Sequence, residues 1–207
     1  EDVRREVIHL EEKTLYGYAW NKVYRVQSLR ESGVVFEKIT LIEDIKFNVS
    51  YFDSVCSMNV LNTTPYHYLK RIDGSLTNKF LPDYFTLNAE RVFLVLEQYK
   101  NWGMCTEEVR RILANIYVRY LFSALQRNCD KRSDMNHAQR KEWLKQQYKT
   151  PLCKELLSAV QASGTLFKCM AKAFCAGNIP LCLMIARSIF AVKSAFPTVF
   201  STLKQQH

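Results

Sequence analysis

The sequence predicts an α+β chain: a mixed segment of short strands and helices over residues 1–80, then an all-α helical bundle or tail over residues 81–207. Three observations predict it. In the first part β-type runs alternate with short helical stretches. Near Thr86 the strand signals stop and a helical periodicity takes over. The charge changes at nearly the same place. Residues 1–80 hold 11 Lys/Arg against 11 Asp/Glu, whereas residues 81–207 hold 18 against 9, so the second part carries the whole net charge of +9.

The β-type runs are Gly33 to Phe36, Met58 to Leu61 and Tyr66 to Lys70, punctuated by Gly33, Pro65 and the turn Asp73-Gly74-Ser75. Between them the apolar positions Phe47, Tyr51, Phe52 and Val55 suit a helix that starts near Glu43. Leu81 to Phe85, with Pro82 and Asp83, reads as the joint. The clearest helix covers 107–127, where Val109, Ile112, Leu113, Ile116, Tyr117, Tyr120, Leu121 and Leu125 share one stripe opposite Arg110, Arg111, Arg119 and Gln126. Thr106 is placed to cap it, and Glu107 and Glu108 sit where the helix dipole favours anions. Further helices are expected around 87–101, 138–148, 152–162, 165–176 and 181–195, broken by Gly164, Gly177 and Pro180.

With 207 residues, 48% hydrophobic and 24% charged, the chain has the composition of a globular protein that buries a core. Its start at Glu1, without Met or a leader, reads as a trimmed end or an expression boundary. The seven cysteines are odd in number and contain no CxxC pair, so buried free thiols in a reducing compartment fit better than a disulfide framework or a zinc site. Crossing a bilayer takes about 20 consecutive apolar residues. The longest uncharged stretch near the end, Ala173 to Ala186, is 14 residues long and is interrupted by Gly177, Asn178 and Pro180. Residues 179–200 either pack inside the bundle or rest on a membrane face.

The densest polar constellation is Glu43-Asp44-Ile45-Lys46-Phe47-Asn48. Two carboxylates at a helix start stay ionised beside free backbone N–H groups, and an ionised, oriented carboxylate can take a proton from a hydroxyl. Capping accounts for such residues at least as readily. Upstream, Trp20-Asn21-Lys22-Val23-Tyr24-Arg25 interleaves aromatic, amide and cationic groups, a mixture that stacks on a sugar ring and bonds its hydroxyls, or simply packs. Downstream, Arg71, Ser75 and Thr77 around a glycine turn suit a phosphate, or a solvated turn.

Taken in order, Trp20-Asn21-Lys22-Val23-Tyr24-Arg25, Gly33-Val34-Val35-Phe36, Glu43 to Asn48, Tyr66-His67-Tyr68 with Arg71, and Gly74-Ser75-Leu76-Thr77-Asn78 resemble the second half of the catalytic domain of bacterial family-2 glycosyltransferases. Those enzymes have the GT-A fold and build capsules, exopolysaccharides and outer sugars of lipopolysaccharide. The resemblance covers 16–80, or 65 of 207 residues. It implies a partial GT-A-type mixed α/β segment on the acceptor side of the catalytic domain. It implies Asp44 as the base that deprotonates an acceptor hydroxyl, Glu43, Trp20, Asn21 and Lys22 along the acceptor, and Arg71, Ser75 and Thr77 near the donor diphosphate. The reaction it implies is a single in-line displacement, with inversion, from a nucleotide sugar to a saccharide or lipid-linked acceptor.

Such enzymes use a divalent metal, Mg or Mn, held by an Asp-x-Asp motif. No Asp-x-Asp occurs in these 207 residues, so the metal ligands are expected outside this chain, in the nucleotide-binding half of the full-length enzyme, and the fragment alone is expected to be inactive. The implied location is cytoplasmic, with peripheral contact at the inner face of the cell membrane. Between Arg127 and Lys172 ten Lys/Arg face four acidic residues, and each well-placed cation contributes about 1 kcal/mol at an anionic surface. The alternative is a non-enzymatic basic helical module that binds anionic membrane or partner proteins. No nucleic-acid motif is present, and nucleic acid is not an expected partner.

Overall fold

The computed structural model describes residues 2–39, 41–63, 66–67 and 80–195. Every regular element among them is helical: α1 (Asp2–Glu12), α2 (Val26–Ser32), α3 (Glu43–Phe52), α4 (Tyr84–Asn101), α5 (Glu107–Arg127), α6 (His137–Lys149), α7 (Pro151–Leu156), α8 (Thr165–Cys175) and α9 (Ile179–Ala195), with 3-10 turns at Lys131–Ser133 and Leu157–Ala159. The expected α+β class is therefore corrected to all-α, and the expected GT-A-type mixed α/β segment falls with it. Gly33 to Phe36 and Met58 to Leu61 are extended or bent backbone without a ladder. Their residues have strand propensity, but propensity measures fit to a pleated, half-buried surface. No such surface receives them, and Val35 and Val60 are 75% and 83% exposed. Of the third run, only Tyr66 and His67 are described, and neither is in a strand.

The chain packs as two compact units, one of Glu1–Lys79 with Thr86–Leu113, the other of Phe80–Phe85 with Ala114–His207.

In the first unit, Val7 and Ile8 of α1, Ile45 and Phe52 of α3, and Val92, Val95 and Leu96 of α4 are almost wholly buried. Polar groups enter this core and find partners there. Glu11, 1% exposed, accepts from Arg91 Nε and Nη2 at 2.7 Å each, a two-point ion pair between α1 and α4. The Arg91 guanidinium, held by Glu11, lies so close to Gly17 that a Cβ there would meet its Nη2 at 2.7 Å, so a larger residue at that point would require the arginine to shift. Tyr99 Oη donates to Arg4 O at 2.6 Å, and Trp102 Nε1 donates to Asp53 Oδ1 at 2.9 Å.

The second unit is organised around the later turns of α5. The five consecutive residues Ala114, Asn115, Ile116, Tyr117 and Val118 are all buried, so this stretch of helix is surrounded rather than faced on one side. Phe85 sets its ring edge-on against Tyr117 and Trp143, and Tyr148 stacks on Phe174 at 4.7 Å. The helix ends are closed locally. Asn136 and Gln139 form a reciprocal cap at the start of α6, and Thr150 accepts from Cys153 N ahead of Pro151 in α7. Buried Asn115 exchanges two hydrogen bonds with the backbone of Gln161.

All seven thiols are free, but only Cys153 and Cys182 are buried; Cys56, Cys169 and Cys175 are exposed, so the expectation of buried thiols holds for two of them. Among the described residues no helix is long and apolar enough to cross a membrane.

Candidate acceptor-side site

The candidate site is built from the loop after α1 and the first turns of α3. At that helix start, Ile42 occupies the N-cap position with no side-chain cap bond, so neither Glu43 nor Asp44 serves as the cap. The Asp44 carboxylate reaches instead to the loop, where its Oδ2 accepts from Ala19 N at 3.2 Å. One turn further on, Asn48 is fully buried, donates Nδ2 to Tyr16 O at 3.0 Å, and accepts from Tyr24 Oη at 2.7 Å. The two polar blocks singled out in the sequence thus meet in space. Asn48 is the part that sequence reasoning missed. Its signal was the pairing of Asn48 with Tyr24, one residue from each block.

Asn21 and Lys22 hold the loop together. Lys22 Nζ lies within 2.9 Å of Leu15 O, Tyr16 O, Tyr18 O and Asn21 Oδ1, and Asn21 Nδ2 donates to Leu15 O at 2.9 Å. Burial brings the Lys22 ammonium down to about 8, Asp44 and Glu11 oppose it, and Arg91 acts in the same direction as burial. Its charge is shared among loop carbonyls, so Lys22 orders the loop and stands near Asp44 electrostatically without a direct bond to it. Burial, followed by the neighbouring Asp44 and Tyr51, raises the Tyr24 hydroxyl well above the usual phenol range, which keeps it a hydrogen-bond donor.

Trp20 lies at the surface. Its ring sits 5.0 Å from Tyr18 and 5.1 Å from Tyr66, and the three side chains form an exposed aromatic cluster next to the loop that Asp44 holds. Glu43 is half-buried, and its Oε2 is screened from solvent with no hydrogen-bond partner among the described residues. Arg71, Ser75 and Thr77, expected near a donor diphosphate, lie outside the described residues.

Chemically, the arrangement offers a carboxylate with one oxygen committed to a backbone N–H, an aromatic surface beside it, and a second carboxylate one residue before it. Among the described residues no group of three or more His, Cys, Asp or Glu could hold a metal ion. Compared with known proteins, the chain matches no family model, no curated protein and no solved structure.

Proposed function

We propose that residues 16–67 form the acceptor side of an inverting sugar-transfer site, in a protein whose nucleotide-sugar donor is held by residues beyond those described. The observation that carries this reading is the Asp44 carboxylate. It sits in the first turn of α3, is not spent on capping, and is fixed through one oxygen by Ala19 N. Orientation through Oδ2 leaves Oδ1 to take the proton of an incoming hydroxyl.

The cluster of Tyr18, Trp20 and Tyr66 supplies apolar ring faces and edges against which a saccharide packs. Glu43 stands at the same helix end as an acceptor for a second hydroxyl. Asn21 and Lys22 act by shaping the loop that carries Trp20, since their polar atoms are taken up by loop carbonyls. In the reaction the acceptor oxygen attacks the anomeric carbon as its proton passes to Asp44, the nucleoside diphosphate leaves from the opposite face, and the configuration inverts. On this reading the work is done in the cytoplasm at the inner face of a cell membrane, on a saccharide or lipid-linked acceptor, as the resemblance of the ordered motifs implies.

The test is transfer from a panel of nucleotide sugars by the full-length protein. Asp44→Asn lowers kcat by about 10²–10⁴-fold, the usual weight of a positioned base, while nucleotide-sugar binding stays as in the wild type. Trp20→Ala raises the acceptor KM with less effect on kcat. Wild-type turnover by Asp44→Asn refutes the proposal.

A further inference from the structure

The second unit carries a hollow of about 300 Å³ lined by Cys129, His137, Arg140, Pro180, Leu183, Met184 and Arg187, remote in sequence from the Asp44 region. This volume is at the small end of the range of about 300–1,000 Å³ typical of ligand pockets. Two guanidinium groups border it, and none of its described lining residues is acidic.

The two arginines differ in how they are held. Arg140, in the first turn of α6, donates Nη2 to Met135 O at 2.7 Å, which fixes the plane of its guanidinium; its Nε is buried with no hydrogen-bond partner among the described residues. Arg187 of α9 is exposed and has no carboxylate within ion-pair distance among the described residues. Both groups line the hollow together with Cys129, and both pull against the upward effect of burial on its thiol. Pro180, Leu183 and Met184, on the same helix α9 as Arg187, give the hollow an apolar wall.

We propose that this hollow binds a phosphate monoester bearing a short apolar group. Two guanidinium groups bordering one hollow, neither with a carboxylate within ion-pair distance among the described residues, match a dianion, and a phosphate monoester near neutral pH carries about −1.5 to −2 charges and three acceptor oxygens. Arginine suits this partner because its planar donors meet phosphate oxygens in pairs. A carboxylate neutralises only one of the two cations. The wall of Leu183, Met184 and Pro180 adds affinity for an alkyl substituent that inorganic phosphate lacks.

The experiment titrates the 207-residue chain with hexyl phosphate, inorganic phosphate and hexanol by calorimetry. Hexyl phosphate binds at one site, more tightly than inorganic phosphate, and hexanol does not bind. Arg187→Gln weakens hexyl phosphate at least about tenfold, the scale expected when one charge-assisted contact is lost, with unchanged far-UV circular dichroism. Vesicles containing phosphatidic acid separate the two sources of such a group. Vesicle binding displaced by hexyl phosphate identifies a lipid headgroup, and hexyl phosphate binding without vesicle binding identifies a soluble ester. Equal affinity of wild type and Arg187→Gln for hexyl phosphate overturns the proposal, and so does vesicle binding that hexyl phosphate leaves untouched.

Discussion

The loop-and-α3 region of the first unit and the α5–α9 region of the second are both helical, yet different forces specify them. In the second unit large apolar side chains fill the interior, the polar Asn115, Gln126 and Asn128 keep 8–9% exposure, and two helix starts are closed by their own neighbours, at Asn136 and Thr150. In the first unit buried polar groups set the geometry. Glu11 pairs with Arg91, Asn48 bridges Tyr16 and Tyr24, and Tyr16 Oη donates to Gln98 Oε1 at 2.8 Å. Gln98 in turn donates to Val49 O at 2.7 Å. Apolar contacts tolerate small displacements, whereas such hydrogen bonds fix one arrangement. The difference teaches that the region holding the candidate base is positioned by directional bonds, and the region holding the arginine hollow by packed volume.

Substitutions can break that comparison. The largest effect is expected from Glu11→Ala, which removes the carboxylate paired with the Arg91 guanidinium, 13% exposed as a side chain. Breaking a buried pair in this way costs about 3–5 kcal/mol in urea unfolding, and the double variant Glu11→Ala/Arg91→Met recovers part of the loss. Leu144→Ala, at a fully buried position of the second unit, costs about 2–5 kcal/mol through the cavity it leaves. A filled cavity or a repacked wall softens that loss, which is the signature of a region specified by volume. Asn48→Ala removes as many heavy atoms as Leu144→Ala but leaves the Tyr24 hydroxyl without its acceptor, at about 1–3 kcal/mol for the group left unpaired, while Tyr16 O keeps its bond from Lys22 Nζ. If Asn48→Leu restores stability, volume and not bonding specifies the first unit too, and the contrast fails.

The smallest of the stability effects sharpens the role of Lys22. Its folded-state pKa, brought down to about 8 by burial, lies below the ordinary value of 10.5. Between those values the unfolded chain holds a proton that the folded chain has shed, so stability rises with pH across that window. Wild type should gain on Lys22→Met as pH climbs from about 8 to about 10.5 in parallel unfolding curves, with a slope below the one-proton limit of about 1.4 kcal/mol per pH unit. A flat difference places Lys22 among ordinary surface lysines.

α3 and the helices from α4 onward were legible because their signals are local, whereas α1 and α2 were not expected as distinct helices. The expected span of α5 agrees with the observed Glu107–Arg127, where Val109 N donates to Thr106 Oγ1 and two glutamates fill the first turn. The strands were misread because a strand is not local. Val34, Val35 and Val60 carry the right side chains, but whether a ladder forms depends on a partner edge that no sequence window contains. At the site, the order of the two polar blocks pointed to Asp44 and Trp20, and the structure brings those blocks together. What the spacing could not give is the cause, a bond from Tyr24 to Asn48 and another from Ala19 to Asp44, since each joins residues 24 or 25 positions apart. The close approach of Arg91 to Gly17 was equally hidden, because Gly17 reads in sequence as a plain loop residue.

The account rests on Asp44 being held by Ala19 N and free to take a proton. Asparagine at position 44 keeps an oxygen for that N–H but has no basicity, so it separates the two roles. The direct measurement is the transfer rate of full-length Asp44→Asn at saturating donor and acceptor, with its unfolding midpoint taken alongside. The account predicts a wild-type midpoint with turnover reduced by about 10²–10⁴-fold. A wild-type midpoint with wild-type turnover would contradict it.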